Sequence, residues 1–329
     1  MPPKFRGCSL GIDVGGTKIY SLILDENNVI LGRGKKKTGD GSPESLLGRM
    51  MASVGQALDE AGVDRKNLRC AGIGFPGPLD PKTGIILQAT NLPAWNQFPL
   101  ADEASQFLGC PVFIDNDVNL GTFGEAVLGA GKGSDNVVGM FLGTGVGGGI
   151  ILNGHIYHGT TGTAGELGHV IIQHGGPPGP FNLRGSVEGL TSRTAIVNRI
   201  KKEIKKGKKC ALEELLKSGK RIRSSDLADA YHAGDSVVRK TFEQTAEFVG
   251  VTIGSLINLL APDVVVLGGG VMEAMPEAIY PTAKRVAMEI ALESNRNHSR
   301  IEVASLGDDA GALGGALYAR QRLIENGGR

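Results

Sequence analysis

Two glycine-rich segments flank an Asn-Asp pair, and residues of these types at this spacing can perform phosphoryl transfer. The first segment is Gly11-Ile12-Asp13-Val14-Gly15-Gly16-Thr17-Lys18, and the second is Gly143-Thr144-Gly145-Val146-Gly147-Gly148-Gly149. Glycines let consecutive backbone N–H groups converge on phosphate oxygens, and a nearby hydroxyl or ammonium adds donors. Gly15, Gly16, Thr17 and Lys18 supply all of these at one tight turn. Transfer to an alcohol also needs a carboxylate placed to take the hydroxyl proton, and Asp117, following Asn116, is the candidate.

Other readings of the same residues are open. Thr17 precedes Lys18, so the first segment is not a Walker A loop, and Gly129-Ala130-Gly131-Lys132-Gly133 has glycine where that motif needs Ser or Thr. Gly143, Gly145 and Gly148 satisfy G-x-G-x-x-G, yet the chain continues as an apolar strand instead of opening a helix, which argues against a dinucleotide fold. Asn116 or Asp117 also serves as a helix N-cap. Glu166 and His169, three residues apart in a glycine-rich stretch, and Glu188 further on offer acceptors and donors to the hydroxyls of a sugar. With His174 they form no recognised metal spacing.

These groups need elements to hold them. Apolar runs at Ser9 to Asp13, Lys18 to Leu24 and Val29 to Gly34 read as a meander of strands, followed by a helix from Pro43 to Ala61 and a strand from Leu68 to Phe75. Val112 to Asp115 is a buried strand. Asn116 and Asp117 then stand at its carboxyl end, where α/β proteins place ligands, and a helix runs from about 116 to 129. A hairpin from Val137 to Leu142 and Gly147 to Leu152 repeats the strand, glycine turn, strand unit of the N-terminus. Asp235 to Leu260 is helical, Asp263 to Leu267 a buried strand running into Gly268-Gly269-Gly270, Arg300 to Ala304 a last strand, and Ala310 to Ile324 a closing helix with small residues on one face.

Composition sets the limits. The chain has 329 residues, 41% hydrophobic and 21% charged, with mean hydropathy −0.03: values of a globular enzyme of two ordinary domains. Thirty-five Lys and Arg against 34 Asp and Glu leave a formal charge of +1, so nothing global attracts nucleic acid or membrane, and the expected partner is a small molecule. The lysines of 201–209 read as a solvated helix face. Cys8, Cys70, Cys110 and Cys210 are isolated and read as small buried hydrophobes. With no signal peptide and no apolar run of about 18 residues, a cytoplasmic location is expected. Trp95, the sole tryptophan, reads as a loop anchor at the surface.

Taken together, Gly11 to Lys18, Gly74-Phe75-Pro76-Gly77-Pro78, Asn91 to Trp95, Asn116-Asp117, Gly143 to Gly149, Gly165 to His169 and Leu267 to Val271 resemble the ROK family of sugar kinases, in particular its glucokinases, over nearly the whole chain. The resemblance implies the actin-like ATPase (ribonuclease H-like) fold, with two α/β domains around a cleft: a smaller one of 1–120 plus 308–329 and a larger one of 121–307. It implies ATP and Mg2+ as cofactors and glucose as the acceptor. An N-acetylhexosamine kinase, a fructokinase and a polyphosphate-dependent enzyme are the alternatives. By this carry-over Asp117 is the base for the 6-hydroxyl, and Asn91, Asn116, Asp117, Glu166, His169 and Glu188 contact the sugar. Gly15, Gly16, Thr17, Lys18, Gly143, Thr144 and Gly145 hold phosphates, Asp13 reaches the magnesium through water, and Gly268, Gly269, Gly270 and Val271 lie by the adenosine. The family also implies a homodimer. Its sugar-responsive repressors carry a DNA-binding domain before the first phosphate loop, which here begins at Gly11, so no nucleic-acid partner is expected.

One departure stands out. The family's zinc site pairs a histidine matching His169 with three cysteines in a C-x-C-G-x-x-G-C-x-E pattern ending at Glu188, but the cysteine positions hold Gly179, Phe181 and Ser186. No structural zinc is expected without thiolates. The expectation instead is that Pro177, Pro178 and Pro180 stiffen the loop while Phe181 packs it.

Overall fold

The computed structural model describes residues 5–39, 42–87 and 95–327. The chain forms two compact units. One comprises Met1–Gly133, Gly149–Gly165 and Asp308–Arg329, and the other Ser134–Gly148 and Glu166–Gly307. The first unit therefore extends past residue 120, recovers a second excursion at 149–165, and takes more than half of the chain instead of being the smaller domain. One cause is visible in the packing of the helix Asp117–Val127 against the closing helix Ala310–Glu325. A Cβ at Gly314 would lie 1.7 Å from Leu120 O, and one at Gly124 would lie 2.5 Å from Ala310 O.

The first unit contains β1 (Cys8–Val14), β2 (Lys18–Leu24), β3 (Ile30–Lys37), β4 (Leu68–Phe75), the short pair β5 (Leu79–Asp80) and β6 (Ile85–Ile86), and β7 (Val112–Asn116). Its main sheet has the order β3-β2-β1-β4-β7; β1, β2 and β3 are antiparallel neighbours, while β1, β4 and β7 run parallel. β1 and β4 are buried on both faces, which is why they read as continuous apolar runs. β3 alternates buried and exposed positions and carries Lys35, Lys36 and Lys37, the charged edge that discourages further pairing. The closing helix lies directly on the sheet because Gly11 and Gly72 offer no side chain: a Cβ would sit 1.7 Å from Ala312 O and 1.9 Å from Gly315 O respectively.

A second five-stranded sheet comprises β8 (Val137–Leu142), β9 (Val146–Leu152), β10 (His155–Ile156), β11 (Val264–Gly268) and β12 (Arg300–Val303), in the order β10-β9-β8-β11-β12. β8, β11 and β12 are parallel. The long helix Ser236–Leu260 buries Val238, Phe242, Val249 and Ile253 in the second unit's core. Asp235 caps it, accepting from Val237 N at 2.9 Å and Val238 N at 3.0 Å.

Trp95 is not a surface anchor. It is 1% exposed and packs between Phe75 and Phe98, with ring centroids 5.2 and 4.8 Å away. The nine-residue helix Leu100–Leu108, which the sequence reading did not place, packs beside it in the same core. The lysine-rich stretch is indeed a solvated face, with Glu203 pairing Lys206 at 2.7 Å and also Lys208. Among the described residues no helix is long and apolar enough to cross a membrane.

Candidate active site

In the first unit, sheet register assembles the acidic centre. Asp13 of β1 pairs with Gly74 of β4, and Gly74 pairs with Asp115 of β7. Asp117 opens the helix that leaves β7. A Cβ placed on Gly74 would lie 3.3 Å from Asp117 Cα and 3.6 Å from Asp13 Oδ1, so the two carboxyl residues sit on either side of a bare glycine. Burial, and then the charge of Asp117, push the Asp13 carboxyl up to about 7, against the opposing pull of Lys18. Lys18 itself pairs with Asp308 at 2.6 Å.

The first phosphate turn is closed by Gly15 N donating to Lys18 O at 2.9 Å, and it is braced by Thr38 Oγ1 donating to Gly15 O at 2.6 Å. Neither Gly15 nor Gly16 takes a left-handed φ. A Cβ at Gly16 would meet nothing within 4 Å. Glycine there leaves the turn open to an approaching ligand.

Asn116 is an N-cap: its Oδ1 accepts from Val118 N at 2.9 Å and Asn119 N at 3.3 Å. That leaves its amide nitrogen as a donor apart from the cap. Asn91 lies outside the described residues.

Asp115 went unnoticed in the sequence. It is 1% exposed, accepts from Asn116 N at 2.7 Å and Asn119 Nδ2 at 2.9 Å, and meets His158 Nε2 at 2.5 Å. A buried carboxylate with this many partners holds the cap residue, and hence the start of the Asp117 helix, in place. It also pushes the buried Tyr318 hydroxyl further up.

In the second unit the second glycine turn joins three other segments. Gly143 N donates to Gly145 O at 2.9 Å, closing the turn. Glu188 Oε2 accepts from Val146 N at 2.8 Å, and a Cβ at Gly145 would lie 2.5 Å from that oxygen. Thr144 Oγ1 accepts from Arg193 Nη2 at 2.5 Å and from Arg221 Nη2 at 2.9 Å. Burial, then the neighbouring Arg221, lower the Arg193 pKa. Arg193 Nη1 also reaches Ser224 Oγ at 3.4 Å, and Ser224 Oγ lies 3.9 Å from where a Cβ of Gly270 would be. Gly270, which opens the helix Gly270–Ala274 after β11, thus lies near the partner of Arg193. Neither arginine carried a sequence signal, because each is far from Thr144 along the chain.

Glu166 and His169 also meet, with His169 Nε2 at 3.6 Å from Glu166 Oε2. A cavity of about 1050 Å3 in this unit is lined by Thr144, Gly145, Glu188 and the proline loop.

The residues around His169 do not fit a zinc ion. Gly179 and Ser186 do converge: a Cβ on Gly179 would lie 2.6 Å from Ser186 Oγ, and the Phe181 ring stands edge-on to His169 at 5.3 Å. The ligand positions are thus still gathered, but without thiolates. Among the described residues no group of three or more His, Cys, Asp or Glu is placed to hold a metal. Phe181 is 74% exposed, so it shields His169 and does not pack the loop as expected. Backbone bonds hold the loop instead, from Gly179 N to Leu183 O at 2.9 Å and from Gly185 N to Pro177 O at 2.8 Å. Ser186 caps the helix that carries Glu188, accepting from Gly189 N at 3.1 Å.

A family model described as the ROK family matches residues 9–322. A glucokinase of Thermotoga maritima is 30% identical, covering 98% of this chain and 99% of its own. A xylose repressor of Bacillus subtilis is 26% identical over 94% of this chain and 76% of its own. Among solved structures, a ROK family glucokinase from Streptomyces griseus in complex with glucose and AMPPNP superposes with a TM-score of 0.79 at 32% identity, covering 96% of this chain and all of that one.

Proposed function

This chain belongs to the ROK family, with its actin-like ATPase fold and sugar-kinase chemistry, and from that premise we propose that it transfers the terminal phosphoryl group of ATP to the 6-hydroxyl of glucose. The observation that carries this reading is the placement of Asp117 at the start of its helix, flanking Gly74 opposite Asp13, in the unit that holds the first phosphate turn. The likeness to glucokinases, one of them solved with glucose and AMPPNP, supports both substrates.

In the proposed reaction the sugar O6 forms a bond to the γ-phosphorus as the bond from that phosphorus to the bridging oxygen of ADP breaks. Asp117 takes the proton that O6 gives up, and the products are glucose 6-phosphate and ADP. Gly15 to Lys18 and Gly143 to Gly145 hold the phosphates, helped by Arg193 and Arg221. Gly268 to Val271 flank the adenosine. Asn116, Glu166, His169 and Glu188 orient the sugar hydroxyls, with Asn91 assigned to the same task by resemblance. The buried Asp13 carboxyl, raised by burial and by the charge of Asp117, suits a hard divalent cation. Mg2+ would be held there by Asp13, through water, and by phosphate oxygens, and when bound it neutralises phosphate charge. A homodimer in the cytoplasm completes the proposal.

A coupled ADP-release assay with Mg-ATP tests it, run against glucose, mannose, fructose, N-acetylglucosamine and N-acetylmannosamine, with polyphosphate assayed through the sugar phosphate formed. Glucose and ATP are the expected pair. Preference for another sugar or donor would move the specificity within the family. Sugar binding without turnover on any of them would favour a sensor, the role that the repressor relative's name carries.

A further inference from the structure

A second cavity, of about 280 Å3, lies wholly within the first unit, and none of its lining residues belongs to either phosphate turn. Its lining includes three basic residues, Lys82, His158 and Arg322, and two threonines, Thr160 and Thr161. Lys82 comes from the turn between β5 and β6, the threonines from the segment after β10, and Arg322 from the closing helix.

The acidic groups nearby are already engaged. Asp80, the one carboxylate in the lining, accepts from Lys82 N at 2.9 Å and Thr83 Oγ1 at 2.8 Å, so it is turned into its own loop. Asp115 is taken up by His158 and by the cap of the Asp117 helix. Glu325 is shared between Arg322 at 3.4 Å and His155 at 3.1 Å. Arg322 Nε is buried and has no hydrogen-bond partner among the described residues. A guanidinium held to Glu325 only at 3.4 Å among the described residues, in one cavity lining with an ammonium and two hydroxyls, of which Thr161 Oγ1 also shares a 2.8 Å bond with Thr163 Oγ1, matches a tetrahedral oxyanion, which accepts several charge-assisted hydrogen bonds at once.

We propose that this cavity binds a phosphate group, as inorganic phosphate or as a phosphate monoester, through Lys82, Arg322, Thr160 and Thr161. The inference goes beyond the kinase reading and does not depend on it, since binding alone tests it. His158 joins the cavity to Asp115, two residues from the proposed base, so occupancy is placed to be felt at the catalytic helix.

The test is isothermal titration calorimetry of the full chain with inorganic phosphate in one arm and glucose 6-phosphate in the other. Saturating glucose and Mg-AMPPNP are kept present to block the phosphate turns and the sugar position. One bound anion per chain is expected, weakened about ten-fold by Lys82→Gln and by Arg322→Gln, the effect of one charge-assisted bond. Lys82 is exposed, so Lys82→Gln should keep its melting temperature and its turnover, and Thr161→Ala serves as a further variant if Arg322→Gln does not fold. Equal affinity in the two arms would assign the site to phosphate itself, and tighter binding of the ester would assign it to sugar phosphates. No saturable binding in either arm, or binding unchanged by both Lys82→Gln and Thr161→Ala, overturns the proposal.

Discussion

The backbone N–H of Val146 donates to Glu188 Oε2 at 2.8 Å, so the carboxylate assigned to the sugar is also a strut of the second phosphate turn. A Cβ on Gly145 would lie 2.5 Å from the same oxygen, so only glycine lets the turn come this close to the carboxylate. Glu188→Gln keeps an oxygen for Val146 while losing the charge, whereas Glu188→Ala removes both. The expected outcome is that Glu188→Gln raises the sugar KM about ten-fold with the ATP KM little changed, while Glu188→Ala raises both. Steady-state kinetics with each substrate varied in turn checks this, and equal effects of the two variants on the ATP KM would remove the strut.

Asp117→Asn should retain the fold and sugar affinity while lowering kcat by roughly 10² to 10⁴, the usual contribution of a general base. Turnover and calorimetric sugar binding, measured on the same preparation, separate loss of chemistry from loss of structure. Near wild-type turnover would take Asp117 out of the mechanism.

Folding raises the Asp13 pKa to about 7 from an ordinary value of 3.8, so the native state favours the protonated carboxyl. Asp13 therefore adds stability that is fully present below about pH 4 and is lost as pH rises through 7. Asp13→Asn, which cannot ionise, should melt higher than the wild type at pH 8 in the absence of nucleotide and metal. The difference, on the order of 1–4 kcal/mol, should shrink toward pH 5. Thermal melts at the two pH values decide it, and a gap that does not change with pH would contradict the assignment.

Arg193 and Arg221 both donate to Thr144 Oγ1, concentrating positive charge on the second phosphate turn. Arg221 is exposed, so its replacement should not disturb the core. Arg221→Gln is expected to raise the ATP KM about ten-fold, to leave the sugar KM alone and to flatten the dependence of the ATP KM on salt. A purely structural role would change the melting temperature and leave the salt dependence intact.

Ser186 stands where the family's pattern has a zinc-binding cysteine, and it caps the helix bearing Glu188. Ser186→Ala should cost about 1 kcal/mol, the usual loss of an N-cap, and should raise the sugar KM because Glu188 is aimed less firmly. Treatment with a chelator, followed by its removal and restoration of Mg2+, should leave both the melting temperature and the kinetics unchanged. Elemental analysis finding one zinc per chain would refute the metal-free loop.

What the sequence by itself determined was local. The strands at 18–24, 68–75 and 137–142 and the helix at 43–61 were readable to the residue, because apolar periodicity and the glycine or proline at an end are properties of neighbouring residues. The capping role of Asn116 was legible as an alternative for the same reason, and the two glycine turns could be recognised because each is one short segment.

Tertiary structure alone decided the contacts between distant segments. Asp115 meets His158 across 43 residues, and Thr144 meets Arg193 across 49 and Arg221 across 77; an isolated His or Arg carries no mark of a partner so far along the chain. Trp95 was misplaced because its burial depends on Phe75 and Phe98 closing around it. The return of 149–165 to the first unit was equally hidden, since a domain boundary is set by which surfaces pack together and not by any change in composition.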